Sequence, residues 1–230
     1  MKKTLILSTI LLSTAGAAFS QVRVSGTPVL RATNRDGVGI IGKNEDVEGS
    51  QYLSETWVLG TVIFKNGGKA EGVVLNFDLY GNKPQFKQDN QVLDFGDPVK
   101  EVVFTGQVTG QQKRFQFRNG YPEVDNLSEK FYYQVVADGP SIQVLKYLEK
   151  VVGEEMVSIG TVKKSFKSQE GIYLFNPLNN KIIKLPKNKK ELQEQAPVFS
   201  DKLSAYMGAN KGFNPRKEGD LVEMANQLNK

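Results

Sequence analysis

Residues 58–87, VLGTVIFKNGGKAEGVVLNFDLYGNKPQFK, constrain the fold more tightly than any other stretch of the chain. Three apolar-rich runs are separated by Asn66-Gly67-Gly68 and Tyr80-Gly81-Asn82. Glycine and asparagine supply the positive φ that tight hairpin turns demand. In the second run Val73, Leu75, Phe77 and Leu79 alternate with Val74, Asn76, Asp78 and Tyr80, so one face is apolar and the other mixed. That alternation belongs to a sheet half covered by a core.

The same rhythm continues through QVLDF (91–95), EVVFTG (101–106), KRFQFR (113–118), FYYQVVADG (131–139) and IQVLKYLEKVV (142–152). SIGTVKKSFKS (158–168) reads as a further strand, and GIYLFN (171–176) with KIIKLP (181–186) as one more hairpin. The connections are too short for crossover helices, so the strands are expected to meander antiparallel. After Pro186 the period becomes helical. Leu192, Phe199, Leu203, Tyr206 and Met207 predict an amphipathic helix interrupted by Pro197 and ended near Gly208. Leu221, Met224, Ala225 and Leu228 share one face of a second helix, with Asp220 and Glu223 spaced as a capping box. The expected architecture is mainly β (α+β): a curled antiparallel sheet over residues 21–186, closed by two C-terminal helices over 187–230.

The chain opens with Lys2 and Lys3, an apolar run from Leu5 to Leu12 and the small residues Ala15 to Ala18. Residues 1–20 therefore read as a secretory signal peptide cleaved before Gln21. No later run approaches the roughly 20 apolar residues of a membrane span, so no transmembrane segment is expected after cleavage. Cysteine is absent, which excludes disulfide scaffolds and a lipid-modified cysteine anchor. An exported chain of this kind suits the periplasm or cell surface of a Gram-negative bacterium.

Histidine is absent too, and this removes whole classes of chemistry. Serine or cysteine nucleophiles with a histidine base, histidine zinc sites and imidazole pH switches are all impossible. Carboxylate pairs remain, among them Asp94 with Asp97 and Glu154 with Glu155, but 25 acids make such spacings routine on a solvated surface. The tripeptide DFG at 94–96 lacks the His-Arg-Asp partner of kinases. NEDVEG (44–49) lacks the ligand order of an EF-hand loop. GVGIIG (37–42) has the glycine spacing of a dinucleotide site, yet KNEDVEGSQY follows it without a helical period, so it reads as a hairpin edge and no nucleotide is expected. No cofactor or metal is called for. Phe131, Tyr132 and Tyr133 could form a stacking platform, but Phe131, Tyr133 and Val135 share a strand face that belongs to a core.

The net charge of +5 is modest, but KIIKLPKNKK places Lys181, Lys184, Lys187, Lys189 and Lys190 within ten residues. This is the candidate binding patch for an anionic surface. It holds no arginine for bidentate phosphate contacts, and lysines also protect exposed sheet edges.

The stretch 48–87 carries Gly49-Ser50-Gln51-Tyr52-Leu53, then Leu75 to Tyr80, then Phe86-Lys87. It resembles a group of exported proteins of certain Gram-negative bacteria that share a Gly-Ser-x-Tyr-Leu segment, a strand, a glycine turn and a hairpin ending in Phe-Lys. The later YQVVADGPSIQVLKY, YLFN and lysine-rich helix entry follow the same order. The resemblance implies an exported β-rich fold with terminal helices, and brings no catalytic residue. The leading expectation is a non-enzymatic envelope or surface protein that binds a protein or glycan partner. A carrier of a small apolar ligand would need a sizeable apolar cavity, and a carboxylate-based polysaccharide hydrolase would need two acids converging in a cleft. A binding module would show an exposed apolar patch.

Overall fold

The computed structural model describes residues 24–25, 47–158 and 161–230. Twelve strands come first in these residues: β1 (Val24–Ser25), β2 (Val47–Glu48), β3 (Val58–Phe64), β4 (Lys69–Asp78), β5 (Lys83–Gln88), β6 (Gln91–Asp94), β7 (Val99–Val108), β8 (Gln111–Arg118), β9 (Tyr133–Ala137), β10 (Gln143–Ser158), β11 (Thr161–Asn176) and β12 (Lys181–Lys184). The helices α1 (Lys189–Phe199), α2 (Asp201–Ala209) and α3 (Glu218–Leu228) follow. The expected leader (1–20) and the GVGIIG hairpin edge (37–42) lie outside the described residues, as does the first half of NEDVEG.

All the strands join one sheet in the order β12-β11-β10-β9-β8-β7-β3-β4-β5-β6, with β1 added to β4 and β2 to β11. Pairing is antiparallel except for β2, which runs parallel to β11 with Val47 opposite Lys164 and Glu48 opposite Ser165. The expected curled sheet closed by two helices is corrected: the sheet is open and not strongly curled, and three short helices follow it. Its end strands β6 and β12 are four residues each and carry Asp94, Lys181 and Lys184, so they stay solvated rather than pairing with one another.

Two of the expected strands are one. β11 runs through Gln169, Glu170 and Gly171 without a break, because β10 stays in register with it from Gln143 opposite Phe175 to Met156 opposite Val162. In the other direction, the two expected helices are three. Pro197 is accommodated in the last turn of α1. The break falls at Ser200, whose N–H donates to the Ala196 carbonyl at 2.7 Å while its Oγ accepts from Leu203 N at 3.3 Å. One residue thus ends α1 and caps α2. The capping box is also corrected: α3 begins after Lys217, and Asp220 accepts from Asn214 N at 2.9 Å instead.

Strand alternation divides the apolar residues into three cores. The first joins β3 to β8 through Phe64, Phe77, Phe86, Phe104 and Phe117, with Phe77 and Phe117 stacked at 3.9 Å. Bulges at Gly60/Thr61 and Ile63/Phe64 bend β3 locally and help bring β4 towards β8. Ile142, just before β10, and Val144 on it face the helices and form the second core with Leu192, Phe199, Leu203, Leu221 and Met224. The alternate residues Leu145 and Tyr147 join Tyr121, Tyr133 and Tyr173 in the third, on the opposite face. Asn229, just past α3, locks the helical layer to the β9–β10 connection. Its Oδ1 accepts from Ser141 N at 2.8 Å and Ile142 N at 3.0 Å, and its Nδ2 donates to the Ile142 carbonyl at 2.8 Å.

Candidate functional site

β9 is the short strand on which the sheet divides. It pairs with β8 only at Phe117 opposite Gln134 and Arg118 opposite Tyr133, then follows β10 through Lys146, Leu145 and Val144. Phe117, Gln134 and Lys146 consequently form a row across three strands on the helix-bearing face. Beyond this row β8 and β9 part, and a groove of about 470 Å³ opens between the first core and the start of α3.

The apolar wall of the groove comes from Leu53, Leu79, Val108, Phe115 and Leu148. Leu79 is brought there because its carbonyl accepts from Lys150 N at 3.1 Å, while Lys150 Nζ donates to the carbonyls of Ser50 and Tyr52. Leu53 is fixed by a backbone N–H donated to Phe77 O and by buried Asn76, whose Oδ1 accepts from Ser54 N and whose Nδ2 donates to Ser54 O.

Charge in the groove is compensated. Lys146, 14% exposed, is ion-paired with Glu218 from the first turn of α3 and lies 3.8 Å from Glu170. Lys113 approaches Glu218 at 3.7 Å. The hydrogen bond from Lys146 holds the Glu218 carboxyl below the usual carboxylate range, so it is ionised at neutral pH. Gln134 is the exception to this pairing. It is 5% exposed and lines the groove, and its amide makes no hydrogen bond to any described residue.

On the other face Tyr147, Tyr173, Asp125 and Lys184 border a hollow of about 300 Å³. Lys184 Nζ lies 2.8 Å from Asp125, and Tyr173 OH donates to Asp125 at 3.2 Å. Lys184 beside it holds the Asp125 carboxyl below its ordinary value. Burial pushes the Tyr121 phenol up to about 12. Tyr133 lies behind this hollow, wholly buried, with a hydroxyl that has no partner. The aromatic run 131–133 therefore contributes core: Tyr132 is buried as well and donates to the Val99 carbonyl at 2.6 Å.

The lysine patch is spread out rather than gathered. Lys181 and Lys184 lie on the edge strand β12, with Lys184 committed to Asp125. Lys189 donates to the carbonyls of Asn210 and Lys211 beyond the end of α2, which supports the fold rather than a ligand. Lys187 precedes α1 and Lys190 is exposed in its first turn. Of the carboxylate pairs, Asp94 and Asp97 border one hollow of about 350 Å³, but Asp94 is engaged by neighbouring side chains, and Glu154 by a lysine. Asp94 accepts from Lys83 at 2.6 Å and Gln85 at 2.7 Å, and Glu154 lies 3.3 Å from Lys164. Among the described residues no three Asp or Glu side chains group as metal ligands, and no helix is long and apolar enough to cross a membrane. The groove's key residue is absent from the sequence-derived candidates, although a lone amide inside the apolar run YYQVV (132–136) is a visible signal for it.

The most prominent surface feature is an arm. The 16-residue strands β10 and β11 outrun the sheet, since β9 leaves β10 at Lys146. Towards the tip Met156 is 75% exposed, Val157 54% and Val162 50%, and Met156 stands directly opposite Val162. No known family model matches the chain, and neither a curated protein nor a solved structure is significantly similar to it.

Proposed function

We propose that the chain is an exported, non-catalytic binding protein of a Gram-negative periplasm or cell surface, a member of the exported β-rich group it resembles, and that it engages a partner protein through the β10–β11 arm. The observation that carries this reading is the exposed apolar tip, Met156, Val157 and Val162, on a ribbon to which, among the described residues, only the short strand β2 is added. A two-stranded ribbon is marginal in water, and a long edge with exposed apolar residues is a liability unless something covers it. On its β11 side the arm already accepts a strand, β2 at Lys164 and Ser165. Among the described residues the outer edge of β10 from 151 to 158 has no such partner. An extended segment of a partner fits that edge by strand addition, with Met156 and Val162 supplying the apolar contact.

A carrier of an apolar ligand is less well supported, because the three cores are packed and the groove is open and lined by charged groups. A hydrolase is less well supported because Glu170, which lines the groove, and Glu218 beside it both lie against Lys146. The test is a photo-crosslinking residue at Met156, with Leu178 as an exposed control, in the exported full-length chain. The expected result is a discrete adduct with one envelope protein at 156 and none at 178, lost when Val157→Lys and Val162→Glu are added while circular dichroism is unchanged. No adduct at 156, or one indifferent to the charged variants, overturns the proposal. An adduct with the chain itself replaces the partner by a second copy.

A further inference from the structure

We propose that the groove between β8, β10 and α3 binds a neutral mono- or disaccharide, with Gln134 as its central hydrogen-bonding residue. This inference stands independently of the arm. A side-chain amide without a protein partner at the floor of a groove offers its donors and acceptor to solvent or to a ligand. Gln134 is only 5% exposed as a residue, and its amide, with two donors and a carbonyl oxygen, makes no hydrogen bond to a described residue and opens on the groove, where solvent or a ligand reaches it. Its backbone cannot move away, since it is paired on both sides, with Phe117 and with Lys146. The fold thus holds a donor and an acceptor at the floor of a hollow whose volume of about 470 Å³ falls in the range of small-ligand sites.

The surrounding groups select the ligand class. The lining sets two lysines, Lys113 and Lys146, against two acids, Glu149 and Glu170, and Glu218 contacts both lysines, so the groove carries no cationic excess and its charges are largely engaged with one another. A purely apolar ligand would leave Gln134 unsatisfied and would strip water from four charged side chains. A saccharide hydroxyl donates one hydrogen bond and accepts two, and it meets here donors on Lys113 and Gln134 and acceptors on Gln134 and Glu170. The C–H face of a sugar ring matches the wall of Leu53, Val108 and Leu148.

The experiment titrates the full-length chain with uncharged hexoses, N-acetylhexosamines and their disaccharides, read by saturation-transfer NMR and calorimetry. At least one is expected to bind saturably. Gln134→Leu should weaken it at least tenfold, and Ser168→Trp, which fills the groove from β11, should abolish it, both with unchanged circular dichroism. The proposal is overturned if no saccharide of the panel saturates, if both variants bind as the parent does, or if amino or carboxylate analogues of the sugar bind more tightly than the neutral compound. Binding of a short peptide with no saccharide binding equally overturns it.

Discussion

Replacing Tyr133 by phenylalanine should make the protein more stable. The ring is wholly buried and sits edge-on to Tyr121, Tyr147 and Tyr173 at centroid distances of 5.5, 5.9 and 5.3 Å. Phenylalanine keeps each of these contacts and removes only a hydroxyl with no hydrogen-bond partner. An unsatisfied buried hydroxyl costs about 1–3 kcal/mol. Against this stands the void left by one oxygen, roughly 0.3 kcal/mol at about 24 cal/mol per Å³. The net gain is about 1–2 kcal/mol, which for a chain of this size raises Tm by about 2–8 °C. Urea unfolding followed by circular dichroism should show a higher midpoint at unchanged m. A second reading comes from alkali. Burial raises the Tyr133 phenol well above its ordinary value. A group raised in the folded state stabilises fully below its unfolded pKa near 10 and loses that contribution as pH climbs towards the folded value. Tyr133→Phe should therefore lose less stability above pH 10 than the parent. A variant less stable than the parent by more than about 0.5 kcal/mol at pH 7 would refute the reasoning, because the hydroxyl would then have to be satisfied.

Other perturbations test the frame around the groove. Gly60→Ala places a Cβ 2.8 Å from the Val103 carbonyl and 2.9 Å from both Leu75 and Phe104, in the bulged middle of β3. Backbone cannot yield there as a side chain would, so a loss of about 3 kcal/mol or more is expected by denaturant titration. Asn229→Ala leaves the amides of Ser141 and Ile142 and one carbonyl unpaired; about 1–3 kcal/mol should be lost, with faster hydrogen exchange at 141 and 142. Glu218 has a depressed folded pKa, so its contribution is present above the ordinary glutamate value and is lost as pH falls through the lowered one. Glu218→Gln should flatten the acid limb of the stability profile below about pH 5, which a urea series at several pH values would measure.

How much of this was legible in the sequence depends on the range of the interaction. The hairpins around Asn66-Gly67-Gly68 and Tyr80-Gly81-Asn82 are local, and Gly67 and Asn82 do adopt the positive φ their turns require. Val73, Leu75 and Phe77 are buried as the alternation of β4 implies, and Leu221, Met224 and Ala225 as the helical period implies. The continuity of β11 was hidden because Lys163, Lys164, Lys167 and Gln169 give its middle no apolar rhythm; that half is held by the β10 ladder and faces water. Ser200 carried its signal, a serine three residues before Leu203, but the stronger reading of Pro197 as the break masked it. The groove was illegible for a different reason. It exists only because β9 pairs with β8 over two residues and then follows β10, a long-range choice that joins positions 113, 134, 146 and 218.

Tyr133 and Gln134 are consecutive on β9 and point to opposite faces, so one five-residue strand holds two polar groups without protein partners. Their settings differ in the one respect that decides function. The Tyr133 hydroxyl is sealed among aromatic rings, where no ligand atom can reach it, and it is simply a cost. The Gln134 amide opens on a groove, where water or a ligand can reach it. Ligand linkage separates the two. A saccharide present at about 100 times its Kd should stabilise the parent by roughly 2.7 kcal/mol. Tyr133→Phe should keep that increment on top of its own gain, because its face of the sheet does not meet the groove. Gln134→Leu should be at least as stable as the parent without ligand, yet gain no more than about 1.4 kcal/mol when the saccharide is added, the increment left after a tenfold loss of affinity. An equal increment in Gln134→Leu would place the binding elsewhere, and a lost increment in Tyr133→Phe would show that the two faces of β9 act as one site.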